Sequence, residues 1–197
     1  MPNLLDFERQ FTFYASYHTN STNVLIHIFC VPTILFTALV LTHGIPGAAT
    51  SFASLPLGST KIDLTFPFLY AAANATYFIL LEPLAGLLYA PMLLSFGHLS
   101  NVLYSTHHDQ AMKYAAFGFV ASWIAQFIGH GKFEGRAPAL LDSLLQSLVL
   151  AVFFVWLEVL FFLGYRPALF KRLQNKTGVE VTKYRREKAL QEAKKLK

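Results

Sequence analysis

Residues 24–43 read VLIHIFCVPTILFTALVLTH, about twenty mostly apolar positions that at helical rise cover roughly 30 Å, one bilayer hydrocarbon core. Comparable apolar stretches recur at residues 64–81, 84–99, 114–128 and 138–163. Lipid offers a backbone no hydrogen-bond partner, so each stretch has to close its own bonds as helix. Composition agrees: 54% of the chain is hydrophobic and only 14% is charged, where ordinary globular chains carry about 25% charge. The expected fold is an all-α, polytopic membrane helix bundle with about four to five apolar segments and an N-terminal amphipathic helix. The richness in Phe, Tyr and Trp excludes disorder, collagen and coiled coil. Cys30 stands alone, so neither an intramolecular disulfide nor a CxxC metal site can form.

The connections are as legible as the spans. Residues 4–17 place apolar side chains at helical spacing beside a charged face, which predicts a helix lying along the membrane surface. His18-Thr19-Asn20-Ser21-Thr22-Asn23 then ends it, because such side chains compete for backbone hydrogen bonds; Ser21 or Thr22 is the expected N-cap of the first span. Residues 44–63 form a polar loop, and Glu82-Pro83 makes a tight helical hairpin. Residues 101–113, with His107-His108-Asp109, are expected to be a short polar connection, and 129–137 (GHGKFEGRA) breaks the apolar run with glycine before Pro138 opens the last helix.

Charge is concentrated at one end. Residues 171–197 carry ten Lys and Arg against Glu180, Glu187 and Glu192, a net +7, while the remainder of the chain is −2. Apart from Tyr184 no aromatics interleave this tail, and it follows an apolar segment, so a cytosolic extension beside the membrane is expected rather than a nucleic-acid surface. Residues 1–170 are then a membrane-embedded domain and 171–197 a basic tail. The ending Lys194-Lys195-Leu196-Lys197 resembles a dilysine signal for retrieval to the endoplasmic reticulum. The first ten residues lack a charged-then-apolar leader, so the first span is expected to direct its own insertion.

Seven histidines in such a chain need partners. On one straight helix His18 and His27 would point to opposite faces; the break at 20–23 lets His18 fold back over the start of the span. Asn23 lies one turn before His27 and can orient its ring. His130 sits among glycines with Gln126 before it and Glu134 after it. His18, His27, His130 and Glu134 compose the ligand set of a non-haem Fe(II) centre, and zinc would accept the same donors. The plainer alternative is that these rings satisfy carbonyls at helix ends. His43 and His98 are expected as interface anchors, and no other histidines complete a diiron box with His107-His108. Glu82, Asp142 and Glu158 are acids in or beside apolar segments, Glu158 being expected to be paired or protonated inside the bundle. If all five segments cross, the basic tail lies opposite His18 and His130; if one is re-entrant, it lies beside them.

The blocks YHTNSTNVLIHIFCVP, WIAQFIGHGKFEGRAPALLDSLLQS and FFVWLEVLFFLGYRP resemble, in order and spacing, those of the fungal 2-hydroxy-fatty-acid dioxygenase family, whose yeast member acts in phytosphingosine breakdown. The resemblance covers residues 1–170 and leaves out the loop at 44–63 and the tail. It implies an Fe(II)-dependent, multi-pass enzyme of the endoplasmic reticulum membrane. Its substrates would be a long-chain 2-hydroxy fatty acid and O2, and its product the acid one carbon shorter. It places His18, His27 and His130 on motif histidines, and Asn23, Gln126, Glu134, Arg136, Asp142 and Glu158 on other polar motif positions. Arg136, or else Lys132, is expected to hold the substrate carboxylate, with Asn23 and Gln126 as orienting groups. A zinc-dependent lipid hydrolase and a non-catalytic lipid carrier or scaffold are the competing readings.

Overall fold

A computed structural model of the chain describes residues 4–58, 60–138 and 144–195, and most of these are helical. The helices are α1 (Phe7–Ala15), α2 (Ser21–Thr42), α3 (Phe66–Leu81), α4 (Pro83–Ile128), α5 (Leu144–Phe162) and α6 (Pro167–Lys195), and a π-helical turn, Gly129–Glu134, continues α4. Within the loop at 44–63 a short antiparallel hairpin pairs β1 (Ser54–Leu57) with β2 (Thr60–Asp63). Ser21–Thr42 and Pro83–Glu134 are long and apolar enough to cross a membrane, while Phe66–Leu81 and Leu148–Phe162 are apolar but shorter.

Asp6 caps α1, its carboxylate accepting from the Arg9 N–H. The cap of α2 is Asn20, not Ser21 or Thr22: its side-chain oxygen accepts from the N–H groups of Thr22 and Asn23 at 2.9 and 3.3 Å, so the helix begins one residue early. The Glu82-Pro83 hairpin forms as its residue types dictate. Glu82 accepts from Ala85 N–H at 2.8 Å and thereby caps α4, while Tyr165 and Arg166 donate to the same carboxylate at 2.8 and 2.6 Å. Close helix approach holds α3 against α4, since a Cβ on Gly86 would collide with the Phe78 carbonyl.

Residues 101–113 are not the expected loop. They are helical except at His107, whose φ of −138° and ψ of 41° break α4. Before the break the helix descends to the level of His43, which meets Ser100 and Tyr104; after it, Gly118 lies beside Thr33 and Thr37 and Gly129 beside Asn23. The chain therefore doubles back along α2 through a kink at a single residue, His107.

α5 rises from the middle of the bundle. Leu148 faces the same cavity as Leu35 and Leu39, Phe153 stacks on Phe78 at 4.7 Å, Trp156 stacks on Tyr89 at 5.0 Å and donates to the Ala85 carbonyl, and Phe161 meets Phe11 edge-on. Such pairs each add about 0.5–1.5 kcal/mol beyond the area they bury. α6 turns back over α1: Leu169 and Leu173 are buried, and Arg172 and Lys176 each approach Glu8 to 2.6 Å. The basic tail is thus a helix docked on α1, at the end of the bundle that carries His18. Phe11 of α1 is 2% exposed against Phe154 and Phe161, so the inner face of this helix is sealed by the bundle. Asp142 lies outside the described residues.

Candidate metal centre

Two of the three rings at the head of the bundle are held in the same way. His18 follows the last turn of α1, and its Nδ1 lies 2.9 Å from the Tyr14 carbonyl; His27, nearly two turns into α2, has its Nδ1 2.9 Å from the Asn23 carbonyl. A carbonyl can only accept, so each Nδ1 carries the hydrogen and each Nε2 keeps a free lone pair. Tyr14 also stacks on His18 at 4.0 Å. The third ring comes from the far side of the sequence. His130 lies in the π turn, 4% exposed, with an Nδ1 that makes no well-formed hydrogen bond among the described residues.

The ring centres stand 4.5 Å (His18–His27), 4.9 Å (His18–His130) and 4.9 Å (His27–His130) apart, a nearly equilateral triangle of steeply tilted planes. One nitrogen from each ring lies within 4.8 Å of the others. Three nitrogens spaced evenly about one ion at about 2.1 Å stand at most about 3.6 Å apart, so the rings have to close by up to about 1 Å to make three bonds. Burial, above all, pushes the pKa of His18 well below its ordinary value of 6.5, and the neighbouring His27 adds to the effect. A neutral ring is the form that binds a metal. Three buried neutral imidazoles, one with an orphaned nitrogen, fit a divalent transition-metal ion; among the described residues this is the one such cluster of at least three donors.

The structure brings Glu134 to the same corner and gives it a different set of contacts. Its carboxylate accepts from Thr19 N–H (2.9 Å), Thr19 Oγ1 (2.5 Å), Asn20 N–H (3.0 Å) and Asn23 Nδ2 (3.1 Å), tying the π turn to the start of α2. Asn23 is fully buried and orients His27 through its backbone carbonyl, while its side chain reaches Glu134. A Cβ on Gly129 would run into Asn23 Oδ1, so only glycine lets the π turn come this close. Arg136 donates to the Ser16 carbonyl at 2.7 Å, and its guanidinium is sandwiched between the rings of Tyr17 (3.5 Å) and Tyr184 (3.8 Å). Lys132 is exposed beside Phe133. Gln126, 7% exposed, has an Nε2 with no partner among the described residues.

Tyr14, Thr19 and Tyr184 escaped sequence reasoning. Tyr14 had a signal: it precedes His18 by four residues, as Asn23 precedes His27. Nothing in the sequence points from Tyr184 to Arg136. The remaining histidines stay apart from the centre. His43 is not an interface anchor but 3% exposed, 3.3 Å from Ser100 Oγ and stacked on Tyr104, and His108 pairs with exposed Asp109. Glu158, expected to be paired or protonated, makes no ion pair among the described residues and borders an open cleft of about 560 Å³ with His18, Val24 and Ile28.

A helical bundle with two apolar helices of membrane length and a buried three-imidazole corner fits a class, membrane proteins with a site suited to a transition metal. Comparison with known proteins narrows it. A family model described as 2-hydroxy-palmitic acid dioxygenase Mpo1-like matches residues 4–163, and the chain belongs to that family. Over 173 residues it is 39% identical to the "2-hydroxy-palmitic acid dioxygenase MPO1" of Saccharomyces cerevisiae (strain ATCC 204508 / S288c), an alignment covering 87% of this chain and 90% of the yeast protein. No solved structure matches the chain significantly.

Proposed function

We propose that this chain is an Fe(II)-dependent dioxygenase that shortens long-chain 2-hydroxy fatty acids by one carbon, R-CH(OH)-COOH plus O2 giving R-COOH plus CO2 plus H2O, in sphingoid-base breakdown at the endoplasmic reticulum membrane. The observation that carries this reading is the convergence of His18, His27 and His130 in a member of this family. Bound Fe(II) would supply oxygen activation and a positive charge toward a carboxylate and its neighbouring hydroxyl.

The remaining groups divide the work by their geometry. The Tyr14 and Asn23 carbonyls fix two rings in the metal-binding tautomer. Glu134 joins the two chain segments that carry the ligands, and it supports their positions through Asn23. Arg136, braced by two tyrosine faces and one carbonyl, holds the substrate carboxylate with its remaining N–H groups. Gln126 donates its otherwise unpartnered N–H to a substrate oxygen.

Because α6 lies at the same end as the triad, cytosolic retention of its Lys and Arg places the site on the cytosolic face. Protease added outside sealed microsomes should then cut α6; protection of α6 would put the site in the lumen. The reaction is tested by metal analysis of purified protein alongside mass spectrometry of 2-hydroxypalmitate incubated with it in air. Iron bound in equal proportion to protein and a product one carbon shorter are expected, whereas equal turnover with Zn(II) alone would end the dioxygenase reading. Arg136→Leu should raise KM about tenfold or more with a smaller fall in kcat, and an unchanged KM would remove Arg136 from substrate binding.

A further inference from the structure

Beneath the imidazoles runs an apolar cavity of about 350 Å³. Its walls continue the two helical stripes on which the ligands sit. On α2, His27 is followed at steps of four, three, four and four by Val31, Ile34, Ala38 and Thr42, and on α4 His130 is preceded at steps of four, three and four by Gln126, Trp123 and Phe119. Side chains at those steps share one face, so the cavity opens one helical turn from the ligands, at Val31 and Gln126, and extends along the bundle away from them.

Its polarity is graded. At the head Gln126 presents a buried N–H with no partner among the described residues, and the walls below it are apolar down to Thr42. An unpartnered buried donor above an apolar shaft matches an amphiphile with one polar head and one hydrocarbon tail. The lengths also agree. Ala38 lies eleven residues past His27, and Phe119 eleven before His130, each about 16 Å at helical rise; half a bilayer core, the depth one acyl chain fills in lipid, is about 15 Å.

We infer that this cavity holds the single acyl chain of the substrate, head at Gln126, and that Ala38 and Thr42, with Tyr70 across from them, form the stop that sets the accepted chain length. The inference rests on the dioxygenase reading and adds to it the residues that choose among its substrates. The cleft bordered by His18 and Glu158 is the rival location, and it would lay the tail against a carboxyl and the polar side chains of Gln174 and Thr177.

The test uses full-length protein in nanodiscs, loaded with Fe(II) and assayed by oxygen uptake on 2-hydroxyoctanoate, 2-hydroxylaurate, 2-hydroxypalmitate and 2-hydroxystearate, with metal content measured in parallel. Each methylene pushed out of an apolar site weakens binding about fourfold. Ala38→Phe displaces three to four, so KM for 2-hydroxypalmitate should rise about a hundredfold while 2-hydroxyoctanoate stays within about twofold. Tyr70→Ala lengthens the cavity and should move the preference toward 2-hydroxystearate, which keeps the proposal testable if the filled variant fails to fold. Parallel losses at every chain length overturn the proposal, as does a chain-length shift produced by Val24→Phe or Ile28→Phe in the cleft instead. Titration with unreactive palmitate separates the two readings. Wild-type protein that oxidises no 2-hydroxy acid yet binds palmitate, with binding lost in Ala38→Phe, removes the reaction and retains the cavity; binding untouched by that change removes the cavity.

Discussion

Histidines are buried at both ends of the bundle, and only one end looks like a place for chemistry. At the head, His18 and His27 each fasten Nδ1 to a carbonyl four residues back and leave Nε2 free, and His130 brings a third ring to within 4.9 Å of both. At the foot, His43 is as deeply buried, but its Nε2 faces Ser100 and its ring lies on Tyr104; His107 bends a helix and His108 points to solvent beside Asp109. Burial alone therefore does not mark a metal site. What separates the two ends is that free lone pairs at the head share one target.

The sharpest way to break this contrast is to delete a ring at each end. His18→Ala, His27→Ala or His130→Ala should abolish iron binding and lower kcat at least about a thousandfold. His43→Ala should keep both and cost only about 1–3 kcal/mol in unfolding stability, the penalty for a lost buried hydrogen bond. Equal metal content in all four variants would erase the distinction. Next in size is Gly129→Val, which forces Asn23 away from the π turn and should weaken iron affinity about ten- to a hundredfold, the usual effect of disturbing the groups that hold a ligand in place. Unaltered affinity would mean that the close approach is incidental.

Acidification probes the same difference more gently. The pKa of His18 is depressed by burial, so the unfolded chain takes up a proton more readily than the folded one as pH falls below the ordinary 6.5. The stability contributed by the neutral ring is complete above that value and declines below it, and the affinity for a bound metal should fall with it. Metal retention that stays flat from neutral pH well into the acid range would contradict this. The smallest effect belongs to the surface: Lys176→Ala removes one half-exposed partner of Glu8 and should lower thermal stability by no more than about 1 kcal/mol, vanishing in high salt.

Much of the head could be read directly. The polar run at 18–23 had to interrupt a helix, and glycines had to surround His130, so those rings were free to meet. Glu82-Pro83 announced its turn. The relations that stayed hidden are those between distant residues, which leave no periodic trace. Nothing near Glu82 points to Tyr165 and Arg166, and nothing near Arg136 points to Tyr184. The level at which α5 begins was equally hidden, because apolar length reads the same whether a helix starts at the membrane surface or halfway down. For that reason the spans alone leave the tail on either face, and the contact between Tyr184 and Arg136 is one that no span count can supply. His43 misled for the opposite reason: an imidazole at the end of an apolar run suits an interface, yet Ser100 and Tyr104 came round to enclose it.

Tyr184 supplies one of the two aromatic faces that steady Arg136, so the last stretch of the chain reaches into the business end of the molecule. A version trimmed after Lys183 for ease of purification would keep the buried Leu169 and Leu173 and both partners of Glu8, yet it would greet its substrate with a loosened guanidinium. An experimenter who shortened the protein in this way and found it sluggish would be tempted to blame the detergent, when the missing ring was the cause.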